Sequence, residues 1–222
     1  MKIHEVFPTV VAQDEVEVHY DFKNSYFEEL KSLWFNGYEN ETPENSGRCS
    51  LHLNPKYKAF FNSLKNSVNR YLQLLEVDHH KLDLFITKSW VGYHNKDIPS
   101  LKAHSHNAAD ISFCYYISSD ESSDKFCVHT NNNPNEVTEG LFETSNKYNL
   151  ISKYNRYNCD SYTITPQEGT VVIFPSNLIH STLKKDNLTD RYVIAGDIKI
   201  CLKEEYNLYH QSLPSPSKWL LV

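Results

Sequence analysis

Apolar residues recur at helical spacing before residue 81 and at strand spacing after it. Over 24–35 (NSYFEELKSLWF), Phe27, Leu30, Leu33 and Trp34 share one face of a predicted helix. A second helix is predicted over 55–76, opened by Asn54-Pro55 with proline at the first helical position. Its apolar stripe (Tyr57, Phe60, Phe61, Leu64, Val68, Tyr71, Leu72, Leu75) reads as packing against a sheet. Residues 1–12 read as an opening strand, and 36–53 as polar turns around Pro43 and Gly47.

Beyond Lys81 the chain breaks into short runs of β-type residues. Strands are predicted at 82–93, 109–118, 125–130, 161–166, 169–175, 180–183 and 191–202. Two helices followed by many strands imply an α+β, mainly β fold with a sandwich or barrel core. The expected organisation is a single domain over 1–222: a helical support region 1–80, a β core 81–202 and a tail 203–222 whose Trp219 docks on the surface. The polar stretch 131–158 is too long for a plain connection and reads as a loop that gates a site.

Composition narrows the class. The chain has 222 residues, 40% hydrophobic, with a net charge of −6, which fits one soluble domain with a full core. No apolar run is long enough to cross a membrane, and MKIHEVFPTVV does not read as a signal peptide. Mild acidity argues against a general nucleic-acid binder. Five scattered cysteines (Cys49, Cys114, Cys127, Cys159, Cys201) form no CxxC pair and read as reduced thiols of a cytoplasmic protein. Basic residues are mostly lysine; the four arginines are Arg48, Arg70, Arg156 and Arg191. In such a chain an arginine is favoured where its planar fork matters.

Most of the 11 histidines carry no signal. His4, His19, His79, His80 and His210 stand in polar or helix-flanking contexts and read as solvated; His52, His94 and His129 are ambiguous. HSHNAAD (104–110) is different: in an extended segment His104 and His106 project to the same side and can meet one cation, with Asp110 the nearby carboxylate. GTVVIFPSNLIHSTL places His180 after an apolar strand and a turn, where it can be aimed inward at that pair. Arg191 opens the apolar strand RYVIAGDI, a costly place for a cation unless an anion meets it. Asp190 or Asp197 could be that anion, or a bidentate ligand carboxylate.

SWVGY (89–93), HSHNAADISFCYYI (104–117) and GTVVIFPSNLIHSTLKKDNLTDRYVIAGDI (169–198) together resemble the 2-oxoglutarate and Fe(II)-dependent oxygenases, and are similar to those encoded by marine cyanobacterial phages. The resemblance implies a double-stranded β-helix (jelly-roll, cupin-like) core with N-terminal supporting helices. It implies Fe(II) on His104 and His180, and 2-oxoglutarate held through its distal carboxylate by Arg191 and Tyr116, with Tyr93 near its keto-acid end. His106 stands where the family's His-x-Asp pattern has a carboxylate, so the metal would see either three histidines or two and Asp110. Val193 stands where a hydroxyl is common, and Tyr116 could supply that hydrogen bond.

The function implied is an oxygenase that uses O2 and 2-oxoglutarate to hydroxylate a substrate the residues do not name, releasing succinate and CO2. Phage origin would place it in an infected host's cytoplasm. Two rivals stay open: a cupin-type metalloenzyme whose HxHxxxD and distant His bind metal without 2-oxoglutarate, and a non-catalytic jelly-roll binding module. Arg191 discriminates, because a simple cupin has no need of it.

Overall fold

The computed structural model describes residues 2–37, 50–123, 125–130, 133–138, 140–142, 150–183, 189–206 and 214–220. Among the described residues there are eight strands and few helices. They are β1 (Ala12–Glu15), β2 (Leu82–His94), β3 (Ile111–Ser118), β4 (Lys125–His129), β5 (Ser161–Ile164), β6 (Thr170–Pro175), β7 (Ile179–Leu183) and β8 (Arg191–Leu202). Two helices precede the main run, α1 (His19–Gly37) and α2 (Lys58–Leu74), the latter entered through a 3-10 turn at Pro55–Tyr57 whose Lys56 N–H is capped by the Asn54 side chain. The strands form a five-stranded sheet in the order β1-β6-β3-β8-β2 and a three-stranded sheet in the order β5-β4-β7. All strand pairs are antiparallel.

The predicted opening strand over 1–12 is displaced: pairing begins at Ala12, opposite Ile173, and runs to Glu15. Proline at position 8 and Phe7 in the left-handed region (φ 57) interrupt extended pairing before that point. The tail also differs from expectation. Trp219 is 54% exposed, and its indole N–H donates to Pro214 O within the tail itself.

Strand alternation gives the large sheet two faces. Ile111, Phe113, Tyr115, Val171, Ile173, Tyr192, Ile194 and Ile198 point toward the helices and pack with Phe22, Leu30, Phe60, Leu64 and Val68. Phe60 joins the layers, stacked on Phe22 at 4.5 Å and tilted on Tyr115 at 4.7 Å. The predicted stripe of α2 is buried as far as Leu72, whereas Leu75, past the end of the helix, is 41% exposed. The opposite face carries Cys114, Tyr116, Val172, Phe174 and Val193, which meet Phe126, Val128 and Ile164 of the small sheet. The inner space therefore lies between two sheets.

His19, expected to be solvated, is buried instead. It opens α1 beneath the β5–β6 turn, with Nδ1 2.7 Å from the Tyr115 hydroxyl. The four cysteines described are free thiols, and Cys49 lies outside the described residues. The long segment 131–158 is only partly described, since 131–132, 139 and 143–149 fall outside. Where described it is pinned by side chains: Asn133 Nδ2 donates to Tyr157 O and Cys159 O, and Phe142 N–H donates to Glu136 Oε1. Among the described residues no helix is long and apolar enough to cross a membrane.

At the centre of the large sheet, a Cβ on Gly196 would lie 2.6 Å from both Lys88 O and the Phe113 ring. Gly196→Ala is expected to destabilise the protein by about 1–3 kcal/mol, since backbone or a packed ring must yield. A urea midpoint unchanged from wild type would contradict that close approach.

Candidate metal and cosubstrate site

Before β3 the chain runs extended along the turn into β7. His104 N–H donates to His180 O (3.0 Å), His180 N–H donates to His104 O (2.9 Å), and His106 N–H donates to Ser176 O (2.8 Å). This backbone pairing, rather than a regular strand, carries the His-x-His side chains to His180. One ring nitrogen from each of the three lies within 4.8 Å of the other two.

The opposite nitrogen of each ring is engaged. His104 Nδ1 donates to Lys102 O (2.7 Å) and His180 Nδ1 to Leu178 O (2.9 Å). A carbonyl only accepts, so each of these rings carries a proton on Nδ1, which leaves Nε2 as the atom turned toward a metal. His106 Nδ1 lies 2.5 Å from Asp197 Oδ1, an equivalent arrangement with a carboxylate as acceptor. Phe126 stacks on His180 (5.5 Å) and Phe174 meets it edge-on (4.7 Å), which fixes the ring plane. Burial pushes His180 down to about 4, so it is neutral at physiological pH. Three converging imidazoles, each with its Nδ1 engaged, are the donor set of a divalent transition metal, and fit Fe(II).

Asp110 is not brought to this cluster. Its carboxylate accepts from Lys199 Nζ (2.8 Å) and from Ile200 N–H (2.7 Å), and its backbone extends the β3 ladder toward Ile198 and Ser176. A four-ligand cupin arrangement would have to break those bonds.

The other end of the inner face is cationic. Arg191, first residue of β8, is 2% exposed, with its guanidinium 5.8 Å from the Tyr116 ring centre. Burial and the Arg191 charge hold His94 at about 3, and burial raises both the Tyr116 phenol and the Cys114 thiol. On β8, Arg191, Val193, Ala195 and Asp197 share one face by alternation, with the guanidinium at one end and the histidines at the other.

Tyr93 requires a correction. Alternation turns it to the helix-facing side of β2, where its ring packs on Tyr192 at 4.6 Å and its hydroxyl accepts from Asn95 Nδ2 at 2.9 Å. Its neighbour His94, paired with Arg191 across β2 and β8, occupies the inner face instead.

Two inner residues escaped the sequence reading as site residues. Asp197 is 6% exposed and accepts from Ser112 Oγ (2.8 Å) as well as facing His106; Lys88 Nζ lies 3.8 Å from its other oxygen. Burial would raise its carboxyl, but the hydrogen bonds from His106 and Ser112 and the nearby charges outweigh that and hold it below the usual range. Ser112 stands opposite Asp197 in the β3–β8 register. The signal was there in RYVIAGDI: a carboxylate six residues after Arg191 shares its face.

Residues 88–197 match the family model described as "Putative 2OG-Fe(II) oxygenase". No curated protein matches the chain by sequence. Among solved structures, AviO1 from Streptomyces viridochromogenes aligns at TM-score 0.55 with 9% identity, over 86% of this chain and 90% of that one. HygX from Streptomyces hygroscopicus, with nickel and 2-oxoglutarate bound, aligns at TM-score 0.50 with 13% identity, over 86% and 83%. A 2OG-Fe(II) oxygenase-family oxidoreductase from Burkholderia pseudomallei aligns at TM-score 0.38 with 14% identity, over 54% of this chain and 46% of that one. At 9% and 13% identity the likeness to AviO1 and HygX is one of fold.

Asp110→Asn is expected to leave Co(II) affinity unchanged and to cost less than about 1 kcal/mol, because its ion pair is partly exposed. Loss of about tenfold or more in Co(II) affinity would return Asp110 to the metal site.

Proposed function

We propose that this chain is a 2-oxoglutarate-dependent dioxygenase, a hydroxylase that binds Fe(II) through His104, His106 and His180; the family-model match over residues 88–197 and the three-histidine cluster support this reading. In this reading the two antiparallel sheets are the halves of a double-stranded β-helix. The observation that carries it is the convergence of three imidazoles whose Nδ1 atoms are all engaged, on the same inner face as a buried arginine.

Bound iron and 2-oxoglutarate supply oxygen activation, with the cosubstrate leaving as succinate and CO2 and one oxygen atom passing to the substrate. The chain does the rest. The Nδ1 acceptors keep the rings turned so that no reorientation is needed on binding. Arg191 offers a planar fork to the distal carboxylate, and the protonated Tyr116 hydroxyl can donate to the same group. This fills the role that a hydroxyl at 193 would otherwise take, since Val193 lines the wall there. Phe126, Phe174, Val172 and Val193 keep water from the inner face.

Arg191 favours this reading over a cupin-type site without 2-oxoglutarate. The test is anaerobic: adding 2-oxoglutarate to the Fe(II)-loaded chain should produce a visible metal-to-ligand charge-transfer band. Arg191→Leu should raise the 2-oxoglutarate concentration required by about tenfold or more, the cost of losing a buried charge-assisted pair. Iron binding with no band would overturn 2-oxoglutarate use and favour the cupin reading.

A further inference from the structure

We infer that Asp197 is a positioning residue for the metal site: it fixes the His106 tautomer and supplies, from behind that ring, the negative charge that a His-x-Asp motif places directly on the metal. The inference rests on the three-histidine reading above. His106 can bind through Nε2 only if its own proton sits on Nδ1. Neighbours decide this, because the two tautomers of an exposed imidazole are both accessible.

The surrounding hydrogen bonds assign every proton. Ser112 Oγ donates to Asp197 Oδ1 (2.8 Å), so its proton is committed there, and Ser176 Oγ stands 2.9 Å from Ser112 Oγ, placed to donate into it. Toward His106 Nδ1, Ser112 Oγ (3.1 Å) and Asp197 Oδ1 (2.5 Å) can both only accept. The ring must then carry Nδ1–H, which frees the Nε2 lone pair toward His104 and His180. The set is rigid. Ser112 and Asp197 are directly paired residues of β3 and β8, and Ser176 closes β6 beside them. Gly196 allows β8 to lie against Lys88 O and Phe113, which holds Asp197 at that depth.

Charge follows the same logic. Three neutral imidazoles leave the metal one negative charge short of a two-histidine, one-carboxylate face. Asp197, one imidazole removed, restores it, and Lys88 at 3.8 Å balances the outer oxygen without displacing His106. A carboxylate hydrogen-bonded to a ligating histidine raises the ring's basicity and fixes its orientation.

The test uses the full chain without metal, labelled with 15N-histidine, and then the same chain titrated with Co(II) alone. Long-range 1H–15N spectra, with His106 assigned through His106→Asn, should show His106 as the Nδ1–H tautomer at neutral pH. Asp197→Asn presents an amide donor, and is expected to shift His106 toward Nε2–H and weaken Co(II) binding by about 10–100-fold. Wild-type His106 in the Nε2–H form would overturn the inference. So would an Asp197→Asn chain keeping both the tautomer and the Co(II) affinity. If that variant does not fold, the wild-type tautomer decides alone. A wild-type chain whose Co(II) titration is unchanged by His180→Ala would instead sink the three-histidine reading, leaving the tautomer to test Asp197 separately.

Discussion

Both faces of the five-stranded sheet are buried, and that single constraint organises the molecule. Each residue along β2, β3, β6 and β8 belongs to one of two environments, an aromatic layer against two helices or an inner space shared with the small sheet. Adjacent residues therefore have unrelated fates. Tyr115 closes the helix side and Tyr116 lies beside Arg191; Tyr93 stacks under α1, and His94 faces inward. A slip of one residue in any of these strands would exchange the site for the core.

The inner face is polarised as a consequence. A buried guanidinium lies at one end of β8, and three imidazoles backed by a carboxylate lie at the other. Burying a charged group alone is expensive, and Asp197 is met by His106 and Ser112. Aromatic rings packed on His180 and carbonyls bound to Nδ1 hold the imidazoles in a converging arrangement.

Much of this was legible in the sequence. Long amphipathic runs gave both helices, and alternating β-type runs gave seven strands close to their observed limits. The His-x-His pair, His180 and Arg191 stood out because their chemistry is costly in those settings. What the sequence concealed is instructive. Local spacing could not say that Asp110 would turn outward to Lys199, because a residue of β8 takes its carboxylate and only tertiary pairing brings that strand near. The resemblance puts Tyr93 at the cosubstrate, whereas its face is set by the β2–β8 register. His19 looked solvated by its polar neighbours, yet Tyr115, 96 residues away, buries it.

The central claim is a metal bound by three imidazoles with carboxylates kept off it. A crystal structure of the chain with Ni(II) and 2-oxoglutarate, with the metal located by anomalous scattering, tests this most directly. The account predicts Ni(II) on Nε2 of His104, His106 and His180, with Asp197 on His106 Nδ1, Asp110 on Lys199 and the distal carboxylate on Arg191. Ni(II) held by the carboxylate of Asp110 or Asp197, or by fewer than these three imidazoles, would contradict it.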